Sequence, residues 1–376
     1  MPAEGRTRVL IVEDSAVMRS LLRSAVSSDP HLQVAGTAAD GQAALSTLDL
    51  LRPDLILLDV EMPVMDGLAT LRELRRRGHT MPVVMCSSLT QRGAKVTIEA
   101  LACGASDYVA KPAGEPNRES AIRTLARELV PRIHAVTSKA HKQPQPLFSA
   151  APDSPANFAL PLPKIESPRI SPTVLVVGVS TGGPAALELL LPALPASFPL
   201  PVLIVQHMPA LFTGLLAERL STRCALRVRE AAEGEPVRAG TAWIARGDWH
   251  MEVLVPGRSA APPTLYLHQG PLENHCRPAV DVLFRSAAKV CGAGVLAVVL
   301  TGMGSDGLKG CRSIREQGGI VFAQDQATSI VWGMPGAVAS AGLAHRVLPL
   351  DALATEILRI VGGVRHEQIE LRGRMV

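Results

Sequence analysis

Apolar runs of strand length alternate with amphipathic stretches along the first third of the chain. Val9-Leu10-Ile11-Val12, Leu55-Ile56-Leu57-Leu58 and Val83-Val84-Met85-Cys86 are continuous rather than alternating. Strands read this way when helices cover both faces of a parallel sheet. Between them, Ala16–Ser27 and Gly67–Arg77 carry apolar residues at helical spacing. Five such strands over residues 8–135 predict a doubly wound α/β domain with a five-stranded parallel sheet. In such sheets the chemistry collects at the edge where the strands end.

The rhythm stops between Lys139 and Pro172. Pro144, Pro146, Pro152, Pro155, Pro161, Pro163, Pro168 and Pro172 punctuate this polar stretch, which sustains neither a helix nor a central strand and reads as a linker. A flexible coil of this length would hold its ends roughly 30 Å apart, and proline would extend it. The strand pattern resumes at Val174-Leu175-Val176-Val177, Val202-Leu203-Ile204-Val205 and Val295-Leu296-Ala297-Val298-Val299-Leu300. Helical stretches at 183–191, 278–292 and 306–317 separate these runs. Shorter strands crowd between Arg227 and Gln269, among them Ala242-Trp243-Ile244 and Leu265-Tyr266-Leu267. A second doubly wound domain is expected, its sheet mostly parallel with an antiparallel hairpin at one edge. The expected division is 1–138, a linker over 139–172, and 173–366.

Composition narrows the class. A chain of 376 residues suits two or three domains. Although 47% of residues are apolar, no run reaches the roughly 18–20 needed to span a bilayer, so no membrane insertion is expected. Met1–Arg8 lacks the apolar stretch of a signal peptide. The six cysteines form no CxxC pair and read as small buried residues of a reducing cytoplasm rather than a zinc or redox site. Net charge is +4 with Lys and Arg scattered, which argues against a nucleic-acid partner.

Candidate chemistry appears at two sets of strand ends. Glu13 and Asp14 follow the first strand, Asp59 the third, Ser88 the fourth, and Lys111-Pro112 the fifth. Three carboxylates at one edge repel unless a cation sits among them, and Mg²⁺ suits an all-oxygen site. Asp59 would then be a carboxylate nucleophile for a phosphoryl group, with Lys111 and the Ser88 hydroxyl contacting its oxygens. Glu13 or Asp14 alone would read as a helix cap; matching residues at every correct element end favour the phosphoacceptor. These residues, with Glu61-Met62-Pro63-x-Met65-Asp66-Gly67, resemble a response-regulator receiver domain. The resemblance implies phosphorylation of Asp59 by a histidine kinase, with Ser88 and Tyr108 as switch residues. Glu13 stands where many receivers have Asp, a tolerated lengthening of the arm.

In the second region Gly178-Val179-Ser180-Thr181-Gly182 fits the GxSxG turn between strand and helix. His207 follows the next strand, and Asp306 lies in the loop after a later one. Ser180 as nucleophile, His207 as base and Asp306 as orienter form a plausible triad in an order unlike that of α/β-hydrolases. From the residues alone, two other readings stay open: a dinucleotide turn, Gly178-x-Ser180-x-x-Gly183, and a turn without chemistry. Asp281 and Asp325 are the fallback orienters.

The motifs Gly178–Pro184, Gln206-His207-Met208-Pro209 and Leu300–Gly307, supported by Arg277–Phe284, Gln324-Asp325 and Gly333-Met334-Pro335, resemble the CheB chemotaxis methylesterase family. The resemblance implies a triad of Ser180, His207 and Asp306, with Thr181 in the site and the Met303 N–H on the oxyanion. It implies hydrolysis of glutamate methyl esters on chemoreceptor cytoplasmic helices, deamidation of receptor glutamines, and no cofactor for the esterase. Cys276 stands where His is expected before Arg-Pro, and this departure is expected to touch the substrate groove but no triad position. Val179 replaces a commonly smaller residue without consequence. The competing class is a signalling module that acts by binding alone. The complete triad and the absence of a basic recognition helix argue against it.

Overall fold

A computed structural model describes residues 5–138, 171–255 and 262–373. The expected linker thus lies almost wholly outside the described residues. In the N-terminal domain, β1 (Thr7–Val12), β2 (Leu32–Ala38), β3 (Leu55–Asp59), β4 (Val83–Ser87) and β5 (Asp107–Ala110) alternate with five helices. These are α1 (Ala16–Ser27), α2 (Gly41–Leu51), α3 (Gly67–Arg76), α4 (Gln91–Ala102) and α5 (Arg118–Thr137). The sheet is parallel, in the order β2-β1-β3-β4-β5. Residues 55–59 and 83–87 are buried throughout, which is why these runs carry no alternation. β1 and β3 are direct neighbours, so Glu13 and Asp59 leave the sheet side by side.

The C-terminal domain begins with β6 (Val174–Val179), α6 (Gly183–Leu190), β7 (Val202–Gln206), α7 (Ala210–Ser221), β8 (Arg227–Glu230) and β9 (Thr241–Ile244). It continues through β10 (His250–Leu254), β11 (Thr264–His268), α8 (Val280–Cys291), β12 (Val295–Val299) and α9 (Leu308–Glu316). It ends with β13 (Ile320–Gln324), α10 (Met334–Ser340), β14 (Arg346–Leu348) and α11 (Leu350–Gly373). Seven strands pair in parallel in the order β14-β13-β12-β6-β7-β9-β8. The expected antiparallel hairpin is present as β10–β11, but as a separate two-stranded sheet rather than an edge of the large one. After β9 the chain reverses at Asp248, whose φ is 65°, and β10 then lies against α8. There the Val253 N–H donates to Ser286 Oγ at 3.0 Å.

The two domains share buried surface. Ala94, Ile98 and Leu101 of α4 belong to one apolar cluster with Leu187 and Leu190 of α6 and Phe212 and Leu216 of α7. Val331 joins the cluster containing Leu129, Ile133 and Val136 of α5. Among the described residues no helix is long and apolar enough to cross a membrane.

Gly67 shows how tightly the end of β3 is packed. A Cβ there would lie 2.0 Å from the Asp59 carbonyl oxygen, a backbone atom that cannot swing aside. Gly67→Ala should therefore destabilise the N-terminal domain by about 1–3 kcal/mol. Urea unfolding checks this; an unchanged midpoint would show that the strand yields.

Candidate active site and phosphoacceptor pocket

Glu13, Asp14 and Asp59 offer carboxylate oxygens that all lie within 4.8 Å of one another. The capping alternative fails here, because the N-cap of α1 is Ser15, whose side chain accepts from the Met18 N–H. Lys111 Nζ sits 2.7 Å from Asp59 Oδ1 and 2.9 Å from Glu13 Oε2. Burial, together with the Asp59 charge, pushes the Glu13 carboxyl up to about 7 against the opposing pull of Lys111. Glu13 Oε2 is buried without a hydrogen bond of good geometry. This all-oxygen donor set with an under-satisfied buried oxygen fits a hard divalent cation. The Ser88 hydroxyl lies 3.3 Å from that of Thr90, not on Asp59.

The serine turn is built by close packing. Gly182 has φ 79°, a left-handed conformation that costs an L side chain strain and glycine little. It caps α6, which starts with Pro184 at its first turn. A Cβ on Gly178 would lie 2.4 Å from Val280 Cγ1, so the first glycine of the motif is needed for α8 to approach. The Ser180 carbonyl accepts from Gln206 Nε2 at 3.0 Å and from the Gly183 N–H at 2.8 Å. Ser180 also touches the loop that carries Met303, since a Cβ on Gly302 would lie 2.9 Å from Ser180 Cβ. Among the described residues the Met303 N–H donates no hydrogen bond.

His207 is hydrogen-bonded through Nε2 to Asp306 Oδ2 at 2.8 Å. Burial alone would lower the imidazole pKa, but Asp306 and the Cys276 thiol outweigh it and push His207 up to about 9. The Asp306 carboxylate is buried and held below the usual range by hydrogen bonds that overcome its desolvation. It accepts from the N–H groups of Val280, Asp281 and Gly307 and from Asn274 Nδ2. Neither fallback orienter touches His207: Asp281 accepts from Gly310 N–H and Asn274, and Asp325 accepts from Thr328. The Ser180 hydroxyl makes no hydrogen bond to His207 in this arrangement. Nδ1 instead faces Cys276 Sγ at 3.7 Å. Cys276 therefore does touch a triad candidate, contrary to the expectation from its place before Arg277.

The N-terminal domain reaches the serine turn directly. Thr181 Oγ1 donates to Asp107 Oδ2 at 2.8 Å, and the Tyr108 ring stacks on Phe212 with centroids 4.6 Å apart. Asp107 is buried, which raises its pKa, with Arg132 and Thr181 opposing. Sequence patterns missed Asp107, Phe212 and Asn274. The first two show nothing but ordinary sheet-end and core residues in sequence, whereas Asn274 stands two residues before the conspicuous Cys276.

Residues 175–357 match the family model described as CheB methylesterase, and residues 9–123 match the response regulator receiver domain. A protein from Trichodesmium erythraeum (strain IMS101), named protein-glutamate methylesterase/protein-glutamine glutaminase, is 47% identical over 359 residues. That alignment covers 94% of this chain and 99% of the relative. A protein of the same name from Nocardioides sp. is 50% identical over 354 residues, 94% of each chain. The crystal structure of the Thermotoga maritima CheB methylesterase catalytic domain aligns at 40% identity with a TM-score of 0.49, covering 51% of this chain and 100% of that one. With relatives this similar along nearly its whole length, the chain belongs to the CheB family of protein-glutamate methylesterases, a receiver domain joined to a methylesterase domain.

Proposed function

We propose that this protein is a phosphorylation-activated serine esterase that hydrolyses γ-glutamyl methyl esters on the cytoplasmic helices of chemoreceptors and deamidates receptor glutamines. The observation that carries the reading is the 2.8 Å His207–Asp306 bond at the strand-end edge where the Ser180 turn sits. Ser180 attacks the ester carbonyl as His207 takes its proton. His207 then protonates the departing methoxide to methanol, and water, activated by the same base, hydrolyses the acyl-enzyme. With a glutamine the leaving group is ammonia. The Met303 N–H and the start of α6 stabilise the tetrahedral oxyanion, each donor contributing on the order of 3 kcal/mol.

Asp59 is the phosphoacceptor, fed by a histidine kinase, and Glu13, Asp14 and Asp59 would hold Mg²⁺, which neutralises charge on the transferring phosphoryl group. Lys111 orients the phosphoryl oxygens, and Ser88 and Tyr108 relay the change. Inhibition follows from the interface between the domains: the Asp107–Thr181 bond and the Tyr108–Phe212 stack hold the receiver beside the Ser180 turn. Phosphorylation shifts the population toward a form in which these contacts are broken. The domains act as units over 1–138 and 173–366, in the cytoplasm.

Methanol release from methylated receptor membranes, with and without acetyl phosphate and Mg²⁺, tests the reading. Ser180→Ala should lower release by about 10³-fold or more while Asp59 is still phosphorylated; retained hydrolysis rejects Ser180. Asp59→Ala should keep basal release and lose its stimulation. Without phosphodonor, Asp107→Ala should raise release about 5-fold, because an intramolecular hydrogen bond contributes about 1 kcal/mol. No increase would count against inhibition through this contact. His207 must lose its proton to act as base, and the closed arrangement holds that proton up to about pH 9. Basal release, corrected with the Ser180→Ala blank, should therefore climb as pH rises from 7 through 9. A profile already flat above pH 7 would show that His207 is neutral there.

A further inference from the structure

In the turn at 273–276 both central residues take left-handed conformations. Asn274 has φ 52° and His275 φ 63°. Glu273 and Cys276 pair through both backbone bonds, 3.1 and 2.9 Å, the geometry of a two-residue hairpin turn in which Asn is favoured. Arg285 of α8 anchors the turn, its two guanidinium nitrogens 2.6 and 2.7 Å from the Glu273 carboxylate. From this fixed turn one amide nitrogen, Asn274 Nδ2, donates to Asp306 Oδ1 at 2.7 Å and to Asp281 Oδ2 at 2.9 Å.

We infer that Asn274 is a positioning residue of the esterase reaction, aiming the Asp306 carboxylate at His207 by holding it apart from a second buried carboxylate. The inference rests on the reading of Ser180, His207 and Asp306 as the reacting group. Asp281 and Asp306 are 1% and 3% exposed, and two such charges repel strongly where water is excluded. Asp281 is raised by its burial and further by the Asp306 charge. Among the described residues His207 and Asn274 are the two side chains that donate to Asp306, one on each oxygen. The three backbone donors hold the carboxylate in place, but none of them contacts Asp281's carboxylate. Among the described residues the Asn274 amide is the one group that donates to both carboxylates, bridging Asp281 and the Asp306 oxygen opposite His207. Without it the backbone donors still hold Asp306, but the repulsion from Asp281 is unrelieved and strains the alignment of the bond to Nε2.

Asn274→Gly is the cleanest removal, since glycine accepts the positive φ and keeps the turn. In the full chain with acetyl phosphate and Mg²⁺, kcat for methanol release should fall at least tenfold with KM within twofold. The exchange Asn274→Asp with Asp281→Asn separates positioning from mere tethering. It rebuilds a bond between 274 and 281 but sets a carboxylate against Asp306, so it should stay at or below the glycine variant. Wild-type kcat in Asn274→Gly, or recovery in the exchange, overturns the inference; so does a glycine variant that melts below the assay temperature, which would assign the amide to the fold. Ser180→Ala run alongside separates the two levels: hydrolysis surviving there sinks the triad itself, whereas an inert Ser180→Ala beside an unaffected Asn274→Gly sinks this inference alone.

Discussion

A strand buried on both faces has no room for polar side chains along its length, so polar groups must gather where the strand stops. That constraint governs both domains. Val9 to Val12 and Leu55 to Leu58 are all buried and apolar, and the carboxylates of Glu13 and Asp59 follow at once. Val174 to Val179 is equally buried and ends at Ser180. Parallel pairing then brings these ends to one edge without further instruction, since neighbouring strands of a parallel sheet finish on the same side. In this molecule the Ser180 edge meets the receiver at the other end of its sheet, where β5 starts with Asp107. The helices flanking this contact, α4 on one side and α6 and α7 on the other, supply the apolar surface that holds the domains together.

Much of this was readable in the chain. Continuous apolar runs located β1, β3, β4, β6, β7 and β12 within a residue or two but not β2, β8, β10, β13 or β14, and glycine, proline and serine at strand ends located the turns. His207 and Asp306 stood out because each follows a strand, and they meet at 2.8 Å although 99 positions apart. Lys111 stood out for the same reason and lies between Glu13 and Asp59. Each of these residues owes its place to the regular geometry of a strand end, which local pattern encodes.

What stayed hidden depends on contacts that no periodicity encodes. Asp107 opens a strand rather than closing one, so its partner across the domain boundary, Thr181, has no signature in either segment. Cys276 looked remote from the base because it precedes a helix by several residues. A turn with two left-handed residues folds it back onto His207. The hairpin β10–β11 was legible as a pair, but its separation from the large sheet depends on the single reversal at Asp248 and on how α8 receives it. In each case the missing information is where a short irregular segment points.

Asp107 of the receiver accepts from the hydroxyl of Thr181, one residue along from the proposed nucleophile. The proposed brake thus bears on the neighbour of the proposed nucleophile rather than on its reacting oxygen. Under the proposed inhibition, substitutions at Asp107, or around Tyr108 and Phe212, reset how much stimulus the enzyme needs before it fires without altering how fast the released enzyme fires. A lineage facing a noisier or a quieter signal can retune its threshold in this way while the reacting atoms stay as they are.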